Sequence, residues 1–170
     1  QSVEPQSIQE ILLEYFSSLE RAKQWAPVRI QLDLAEDQST LVRVQKDWIY
    51  AMLEILMNNL RQALANRPDP HCFIQSSPVF SQNKMVVTMT DNGPGFSSQV
   101  IKSIFKRPIK KRRTESGAGI GLLIARLIVE TYGGKISGKN VEGGGAMIKI
   151  ELPFDDLVYL SNGSGPIDLN

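Results

Sequence analysis

Three polar side chains recur at four-residue intervals near the middle of the chain: Glu54, Asn58 and Gln62. Residues four apart lie one above the other on a helix, so these side chains would project from nearly the same face. Carboxylate and amide oxygens are suitable ligands for Mg²⁺, which keeps several waters and shares its other positions with nucleotide phosphates. The solvated face of an ordinary helix would show the same residues, so this strip needs supporting features elsewhere.

A second group of residues begins at Asp91, which ends an apolar run and precedes a turn containing Gly93 and Gly95. A carboxylate at the end of a strand can accept a hydrogen bond from an exocyclic amine, and glycines let a ligand approach the backbone closely. This chemistry suits adenine. The sequence Asp-Asn-Gly-Pro-Gly is also an ordinary turn, so the motif depends on the features that follow it.

Glycines then alternate from Gly117 through Gly119 to Gly121, directly before a helical pattern. Free backbone N–H groups and the positive end of a helix dipole would converge there, and both favour phosphate oxygens. The segment lacks the Gly-Lys-Ser/Thr of a Walker A loop, and no strand directly precedes it as a dinucleotide fingerprint requires. A Rossmann fold is therefore disfavoured.

Apolar spacing predicts the helices that must position these groups. A first helix begins at Ile8 and ends before Pro27, and a short helix spans Val100 to Phe105. The last helix runs from the glycine segment to a stop at Gly133 and Gly134. Asp47 is predicted to cap the long second helix, which ends at Pro68 and Pro70 and has an apolar stripe of Trp48, Met52, Leu56, Leu60 and Ala63.

Period-two alternation predicts the strands. Residues 28–34 and 41–44 are predicted to pair as a hairpin, and residues 72–77 and 85–90 form two further strands, of which the second is apolar enough to be central. Gly143 to Gly145 turn a final hairpin. The fold class is predicted to be an α/β (α+β) two-layer sandwich, with a mixed sheet covered on one face by about three helices. Residues 1–154 form this domain, and residues 155–170 are predicted to be a poorly ordered C-terminal tail.

Composition narrows the partners and the compartment. Nineteen basic residues against 18 acidic ones give a net charge of +1, so no overall bias favours nucleic acid or a membrane surface. Cys72 is the only cysteine, which excludes an internal disulfide and fits a cytoplasmic setting. The chain opens with Gln1 and has no signal segment, so it is interpreted as a piece of a longer protein, which could itself be membrane-anchored.

The motifs together resemble a known superfamily. Glu54-xxx-Asn58, Asp91-x-Gly93-x-Gly95, Ile104-Phe105 and Gly117-x-Gly119-x-Gly121-Leu122 are similar, in this order, to the N, G1, F and G2 boxes of the gyrase, Hsp90, histidine kinase and MutL superfamily. The segment from Gly143 to Pro153 resembles the terminal hairpin of the histidine kinase branch. The resemblance covers residues 7–154.

The resemblance implies a Bergerat-type fold and an ATP site between the second helix and a flexible lid. Asn58 would hold Mg²⁺ with Glu54 assisting, Asp91 would bind the adenine amine, and the glycine segment would hold phosphates. The γ-phosphoryl group would pass to a histidine on a separate dimerisation domain of the parent protein, a response regulator would act downstream, and this fragment would be a monomer. The implied nucleotide-binding residues are Asn58, Gln62, Asp91, Gly93, Gly95, Phe96, Ile104, Phe105, Gly117, Gly119, Ile120, Gly121, Leu122 and Ala146.

Three positions depart from the family pattern. Gln62 stands where kinases usually have a second Asn, Ala65 replaces a common Lys, and Ala146 replaces a common Thr whose hydroxyl would help to hold the adenine-binding Asp. These departures leave open a degenerate nucleotide-binding module that signals without turnover. A serine kinase of the anti-sigma-factor type is a further alternative, against which the first helix argues.

Other noticeable residues have simpler interpretations. The basic run from Lys106 to Arg113 is either a solvated loop, a γ-phosphate contact or a docking site for an acidic partner, and nucleic acid is not expected because interleaved aromatics are lacking. His71 and Cys72 lie beside each other without further ligands, so neither a metal site nor a phosphoacceptor is expected there. Trp25, Trp48 and Phe96 are predicted to pack in the core, and Phe105 to pack at the root of the lid.

Overall fold

The computed structural model describes residues 2–23, 25, 27–36, 40–106 and 120–155. Most of the basic segment, together with Gly117 and Gly119, lies outside the described residues, as does the predicted tail after Asp155. Asp155 itself belongs to the packed domain, because its backbone N–H donates to the carbonyl of Leu41 at 2.7 Å and its carboxylate pairs with Arg43 at 2.9 Å.

Four α-helices, seven strands and one short 3-10 helix (Phe80–Gln82) make up the described chain. The helices are α1 (Ile8–Arg21), α2 (Lys46–Leu64), α3 (Ser98–Ser103) and α4 (Gly121–Thr131). The strands are β1 (Glu4–Gln6), β2 (Arg29–Leu34), β3 (Val42–Val44), β4 (His71–Val79), β5 (Lys84–Asp91), β6 (Lys135–Asn140) and β7 (Ala146–Pro153).

Five of the strands form one mixed sheet in the order β2-β4-β5-β7-β6. β2 and β4 run parallel, and the remaining neighbours are antiparallel. The predicted central position of β5 is confirmed. Alternate side chains of β4, β5 and β7, among them Ile74, Val87 and Ile150, are buried, so one face of the sheet supplies half of the core.

The buried stripes of α1, α2 and α4 cover that face and complete one continuous core. The predicted two-layer α/β sandwich is therefore confirmed. α1 begins at the predicted residue because Ser7 caps it, accepting a hydrogen bond from the Glu10 N–H at 3.3 Å. No described helix combines the length and apolar character that crossing a membrane would require.

The predicted hairpin between residues 28–34 and 41–44 is wrong. β2 joins the main sheet parallel to β4, with α2 lying between the two strands in sequence, while β3 pairs antiparallel with β1 in a separate two-stranded sheet. Sequence proximity favoured the hairpin, but Val42 and Val44 are almost fully buried and β2 only partly. Burial of β3 therefore outweighs local pairing, and β1 was missed because it has only three residues.

The predicted cap and apolar stripe of α2 also need correction. The helix begins at Lys46 with Gln45 as its cap residue, so Asp47 lies inside the first turn. The stripe is rotated, because Trp48 is 52% exposed and Ala63 is exposed as well. Apolar residues occur on several sides of this helix, and contact with both the sheet and α4 selects the buried ones. These are Ile49, Met52, Leu53, Leu56, Met57, Leu60 and Leu64.

Replacement of Leu53 by Ala tests this corrected stripe. Leu53 is 0% exposed, so Leu53→Ala leaves a cavity and is expected to lower the free energy of unfolding by about 3 kcal/mol, measured by urea denaturation. Leu13→Ala on α1 is the matched control, because Leu13 is 54% exposed and its loss is expected to cost less than about 0.5 kcal/mol. Equal effects of the two substitutions would contradict the packing of α2 described above.

Candidate functional site

The centre of the candidate site is Asp91, the last residue of the central strand β5. Its Oδ1 atom accepts hydrogen bonds from the backbone N–H of Gly93 at 2.8 Å and, more weakly, from that of Ala146 at 3.4 Å. Because Ala146 donates through its backbone, the absence of a hydroxyl at this position does not remove its contact with the carboxylate. The half-buried side chain is thus held at one oxygen by two neighbouring segments.

Burial raises the pKa of the Asp91 carboxyl above its ordinary value. The hydrogen bonds from Gly93 and Ala146 and the positive charges of Arg67 and His71 act in the opposite direction, lowering the pKa without cancelling the effect of burial. The site therefore balances desolvation of a carboxylate against donors that stabilise its charge. A carboxyl group at the end of a strand whose pKa is shifted by burial is a candidate for ligand binding.

The backbone of the β6–β7 turn approaches Asp91 so closely that only glycine fits. A Cβ atom on Gly145 would lie 1.9 Å from the carbonyl oxygen of Asp91, and Gly145 has a φ of +100°. Gly95 has a φ of +75°, and a Cβ there would lie 2.8 Å from the side-chain oxygen of Asn140. Both glycines are therefore required by close approach as well as by backbone conformation.

Three residues that sequence analysis missed hold the turn after Asp91. Arg67 donates to the carbonyls of Asn92 and Gly93 at 2.9 and 3.2 Å. The Asn92 side chain accepts from the His71 N–H and donates to the Asp69 carbonyl, both at 2.9 Å. The Asn140 side chain accepts a hydrogen bond from the Phe96 N–H at 2.7 Å and donates one to the Phe96 carbonyl at 2.8 Å.

Arg67 and Asn140 belong to no recognisable motif, and Asn92 is the unspecified position of the Asp91-x-Gly93 turn. The only signal in the sequence was their position, since Arg67 follows a helix, Asn92 lies in a turn and Asn140 ends a strand. Phe96 itself is half-buried and packs against the core, as predicted.

The polar strip of α2 is exposed at Glu54, Asn58 and Gln62. Glu54 is oriented by α1, because the Tyr15 hydroxyl donates to its Oε2 atom at 2.7 Å. Burial and the hydrogen bond to this carboxylate raise the pKa of Tyr15, so the phenol keeps its proton and remains a donor. Within the described part of the chain, no three His, Cys, Asp or Glu side chains gather closely enough to hold a metal ion.

The beginning of α4 meets the middle of α2. A Cβ atom on Gly121 would lie 3.1 Å from a methyl group of Ile55 and 3.8 Å from the Asn59 amide nitrogen, so glycine lets the two helices approach closely here. Ile120 is exposed at the helix start, whereas Leu122 is buried in the core. The structure thus brings the first N–H groups of α4 close to the α2 helix that carries the polar strip.

Ile104 and Phe105 lie in the core, with exposures of only 7% and 4%. The packing interpretation of Phe105 is confirmed, and contact of either residue with a ligand stays a prediction. Phe105 has a φ of +62°, which is rare for a bulky residue, and Arg126 donates to its carbonyl at 3.1 Å. Gly138, a residue of β6, has no side chain and so leaves room for the side chains of Ile104 and Phe105.

The remaining aromatic and titratable residues have structural roles. Trp25 is buried as predicted, with the Arg61 guanidinium 4.3 Å from its ring centre. Cys72 is fully buried in β4, and burial raises the pKa of its thiol to about 12, so it is not a reactive nucleophile. The His71 ring nitrogen Nδ1 lies 3.0 Å from the Asp69 carbonyl at the start of the same strand.

Comparison with solved structures assigns the class of the fold. A mycobacterial sensor histidine kinase, MprB, superposes with a TM-score of 0.70 at 19% identity, covering 89% of this chain and 98% of that one. The catalytic domain of the histidine kinase ThkA gives the same score at 21% identity, covering 90% of this chain and 96% of that one. The fold is therefore that of a histidine kinase catalytic domain.

The sequence places the chain in a family. A family model described as "Histidine kinase-, DNA gyrase B-, and HSP90-like ATPase" matches residues 44–156. The chain belongs to this family, and within it to the ATPase catalytic domains of sensor histidine kinases.

Among its curated relatives are sensor proteins from several bacteria. The sensor protein FixL of Bradyrhizobium diazoefficiens is 30% identical over 76% of this chain and 24% of its own length. The sensor protein PhoQ of Escherichia coli is 30% identical over 77% of this chain and 26% of its own length. The chain thus spans about a quarter of the length of these relatives.

Two glycines in the same turn provide a matched test of the contact at Asp91. Gly143 and Gly145 both have positive φ angles, of +89° and +100°, but a Cβ on Gly143 meets nothing within 4 Å. Gly143→Ala is expected to cost about 1 kcal/mol of unfolding free energy from backbone strain alone. Gly145→Ala is expected to cost at least about 3 kcal/mol, because the β6–β7 turn must move away from the Asp91 carbonyl. Thermal denaturation measures both, and similar melting temperatures would contradict the close approach.

Proposed function

We propose that this domain binds Mg-ATP and donates the γ-phosphoryl group to a histidine on a separate dimerisation domain of its parent protein. The observation that carries the proposal is the half-buried Asp91 carboxylate, held at the end of the central strand by the N–H groups of Gly93 and Ala146, with close glycine turns on both sides. The name of one curated relative, the signal transduction histidine-protein kinase AfsQ2 of Streptomyces coelicolor, supports it.

Adenine recognition follows from the hydrogen bonds of Asp91. The N–H groups of Gly93 and Ala146 are both directed at Oδ1, which leaves Oδ2 to accept the exocyclic amine of the base. Guanine presents a carbonyl oxygen where adenine has this amine, and two acceptors facing each other would repel. The proposed pocket therefore selects adenine nucleotides.

The phosphates would lie between α2 and the beginning of α4. The first N–H groups and the dipole of α4 favour negative charge there, and Gly121, the glycine at its start, packs against α2. Gly117 and Gly119 are proposed to extend this phosphate-binding region. The Asn58 side chain would hold Mg²⁺ with Glu54 assisting, and the ion would neutralise charge on the phosphates.

Phosphoryl transfer needs a nucleophile from outside this domain. The bond between the γ-phosphorus and its bridging oxygen breaks, a bond from phosphorus to the imidazole nitrogen of the acceptor forms, and ADP leaves. His71 is at the start of a strand beside the adenine-binding turn, which makes it unsuitable as acceptor. We propose that the phosphohistidine then supplies a response regulator, and that the domain works in the cytoplasm, where ATP is available.

A related structure with a bound nucleotide analogue gives further support. The crystal structure of full-length ShkA, which is 20% identical with a TM-score of 0.67 over 90% of this chain and 31% of that one, is a complex with AMPPNP. AMPPNP is a non-hydrolysable ATP analogue. A nucleotide bound to a protein that contains this fold agrees with the proposed use of the site.

An exposed apolar surface beside the proposed phosphate site suits the acceptor domain. Ile120, Ile124 and Leu127 project from one side of α4 at helical spacing, and Leu127 is 62% exposed. A helix of the dimerisation domain could bury this surface, defined by these three residues, and bring its histidine to the γ-phosphate. Apolar side chains that project from one helix face are typical of such contacts.

Nucleotide binding tests the proposal directly. Calorimetric titration of the domain with ADP or a non-hydrolysable ATP analogue is expected to show saturable binding. Asp91→Asn places an amide donor against the base amine and is expected to weaken binding about 10- to 100-fold. Asn58→Ala is expected to weaken binding by about tenfold with Mg²⁺ present and much less without it.

Asp33→Asn is the matched control for the loss of a carboxylate. Asp33 lies on the edge strand β2 and accepts a hydrogen bond from Gln75 at 3.1 Å, far along the sheet from Asp91. Its replacement is expected to leave ADP affinity unchanged. Failure of the wild-type domain to bind nucleotide at millimolar concentration would overturn the proposed function.

The docking surface on α4 gives a separate prediction. Leu127→Glu introduces a charge at the most exposed residue of this surface and is expected to slow phosphoryl transfer to the added dimerisation domain at least about tenfold, with ADP affinity unchanged. Leu13→Glu on α1 is the control, since Leu13 is similarly exposed but lies on another helix. Phosphoryl transfer is followed with radiolabelled ATP. Equal transfer rates for Leu127→Glu and the wild type would exclude this docking surface.

A further inference from the structure

We propose that Arg67 is a positioning residue for adenine recognition, which holds the Asn92–Gly93 turn so that Asp91 faces the base. The inference rests on the proposed function and adds to it a residue that none of the sequence motifs contains. The Arg67 guanidinium donates from Nε to the Asn92 carbonyl at 2.9 Å and from Nη2 to the Gly93 carbonyl at 3.2 Å. The planar fork of one arginine thus spans two consecutive peptide groups.

The end of α2 directs Arg67 toward this turn. Asn66 adopts a left-handed conformation with a φ of +67°, and the Arg67 N–H then donates back to the Leu64 carbonyl at 3.1 Å. This reversal ends the helix and carries the next side chain across to the end of strand β5. The arginine therefore connects the helix that carries Asn58 with the turn that follows Asp91.

Arg67 holds one side of the turn, and the start of β4 holds the other. The Asn92 side chain is bonded to the backbone of His71 and Asp69, so residue 92 is fixed from both directions. Of the two N–H groups that donate to Asp91 Oδ1, that of Gly93 is the closer. The Gly93 carbonyl in turn accepts a hydrogen bond from Arg67. Loss of Arg67 would consequently loosen Gly93 and, through it, the orientation of the carboxylate.

The charge of Arg67 adds an electrostatic effect to this geometry. Burial raises the pKa of Asp91, whereas the N–H groups of Gly93 and Ala146 and the charges of Arg67 and His71 lower it. His71 is present in every variant compared, so a shift of the pH profile between them reports on Arg67. The ionised carboxylate is the form that accepts a hydrogen bond from adenine, so binding is lost as pH falls through this pKa. Removing the Arg67 charge raises the pKa, which moves the loss of binding to higher pH.

The Arg67 side chain is exposed, its bond to the Asn92 carbonyl is exposed and its bond to the Gly93 carbonyl is partly buried. We therefore expect water to replace much of what a shortened side chain loses, so that the melting temperature changes little. A purely structural role would change the melting temperature, whereas a positioning role changes nucleotide affinity and its pH profile. Arg67→Lys keeps the charge but loses the fork, and it therefore separates the geometric effect from the electrostatic one.

The test is titration of ADP into the wild type, Arg67→Ala and Arg67→Lys between pH 5 and 8. Arg67→Ala is expected to bind about tenfold more weakly and to lose binding at higher pH than the wild type, with a similar melting temperature. Arg67→Lys is expected to bind more weakly but to keep the wild-type pH profile. Hydrogen exchange of the Gly93 amide is expected to be faster in both variants.

Arg21→Ala is the control, because Arg21 is an exposed arginine in the last turn of α1, away from the described contacts of the turn after Asp91. This inference would be overturned if Arg67→Ala kept the wild-type affinity, pH profile and Gly93 exchange rate while Asp91→Asn lost binding. The proposed function would then remain intact. No nucleotide binding by the wild type would overturn the proposed function, and the role of Arg67 with it.

Discussion

The structure depends on the close contact between the end of the central strand β5 and the turn that enters β7. Gly145 approaches the Asp91 carbonyl so closely that any side chain would collide, and Ala146 then donates its N–H to the Asp91 carboxylate. Together with the Gly93 N–H, this contact holds the Asp91 side chain half-buried at the strand end, and burial raises its pKa.

Helix α2 links this contact to the rest of the molecule because one side of the helix packs in the core and the other carries exposed polar residues. Its fully buried residues, such as Leu53 and Met57, anchor it to the sheet, while Glu54 and Asn58 remain exposed. The polar residues need no burial of their own, since the apolar side supplies the free energy that holds the helix in place. A rigid helix in turn fixes where Arg67 leaves its end and where Gly121 of α4 meets it. The proposed phosphate and adenine regions are thus positioned by the same packed element.

Several features could be predicted from residue spacing because they depend on local periodicity. α1, β5 and the β6–β7 hairpin follow from alternation, helical stripes and glycine turns, and the core roles of Trp25 and Phe105 follow from their apolar surroundings. Pairing of β2 and β3 was predicted wrongly, because strand partners are chosen by burial across the whole chain. The buried side of α2 was misplaced for the same reason, since Trp48 and Ile49 are both apolar and only their packing in the folded chain distinguishes them.

The sequence by itself determined the family, the sandwich fold and the order of the motifs around Asn58 and Asp91, because these reside in residue types at fixed local separations. Only the tertiary structure decided how the carboxylate is held. Arg67 and Asn140 are 24 and 49 residues from Asp91 in sequence, and neither belongs to a helix stripe or a turn signal that would connect it to Asp91. Their contacts arise where strand and helix ends converge at one edge of the sheet, and hydrogen bonds between such distant segments exist only after the core has brought those ends together.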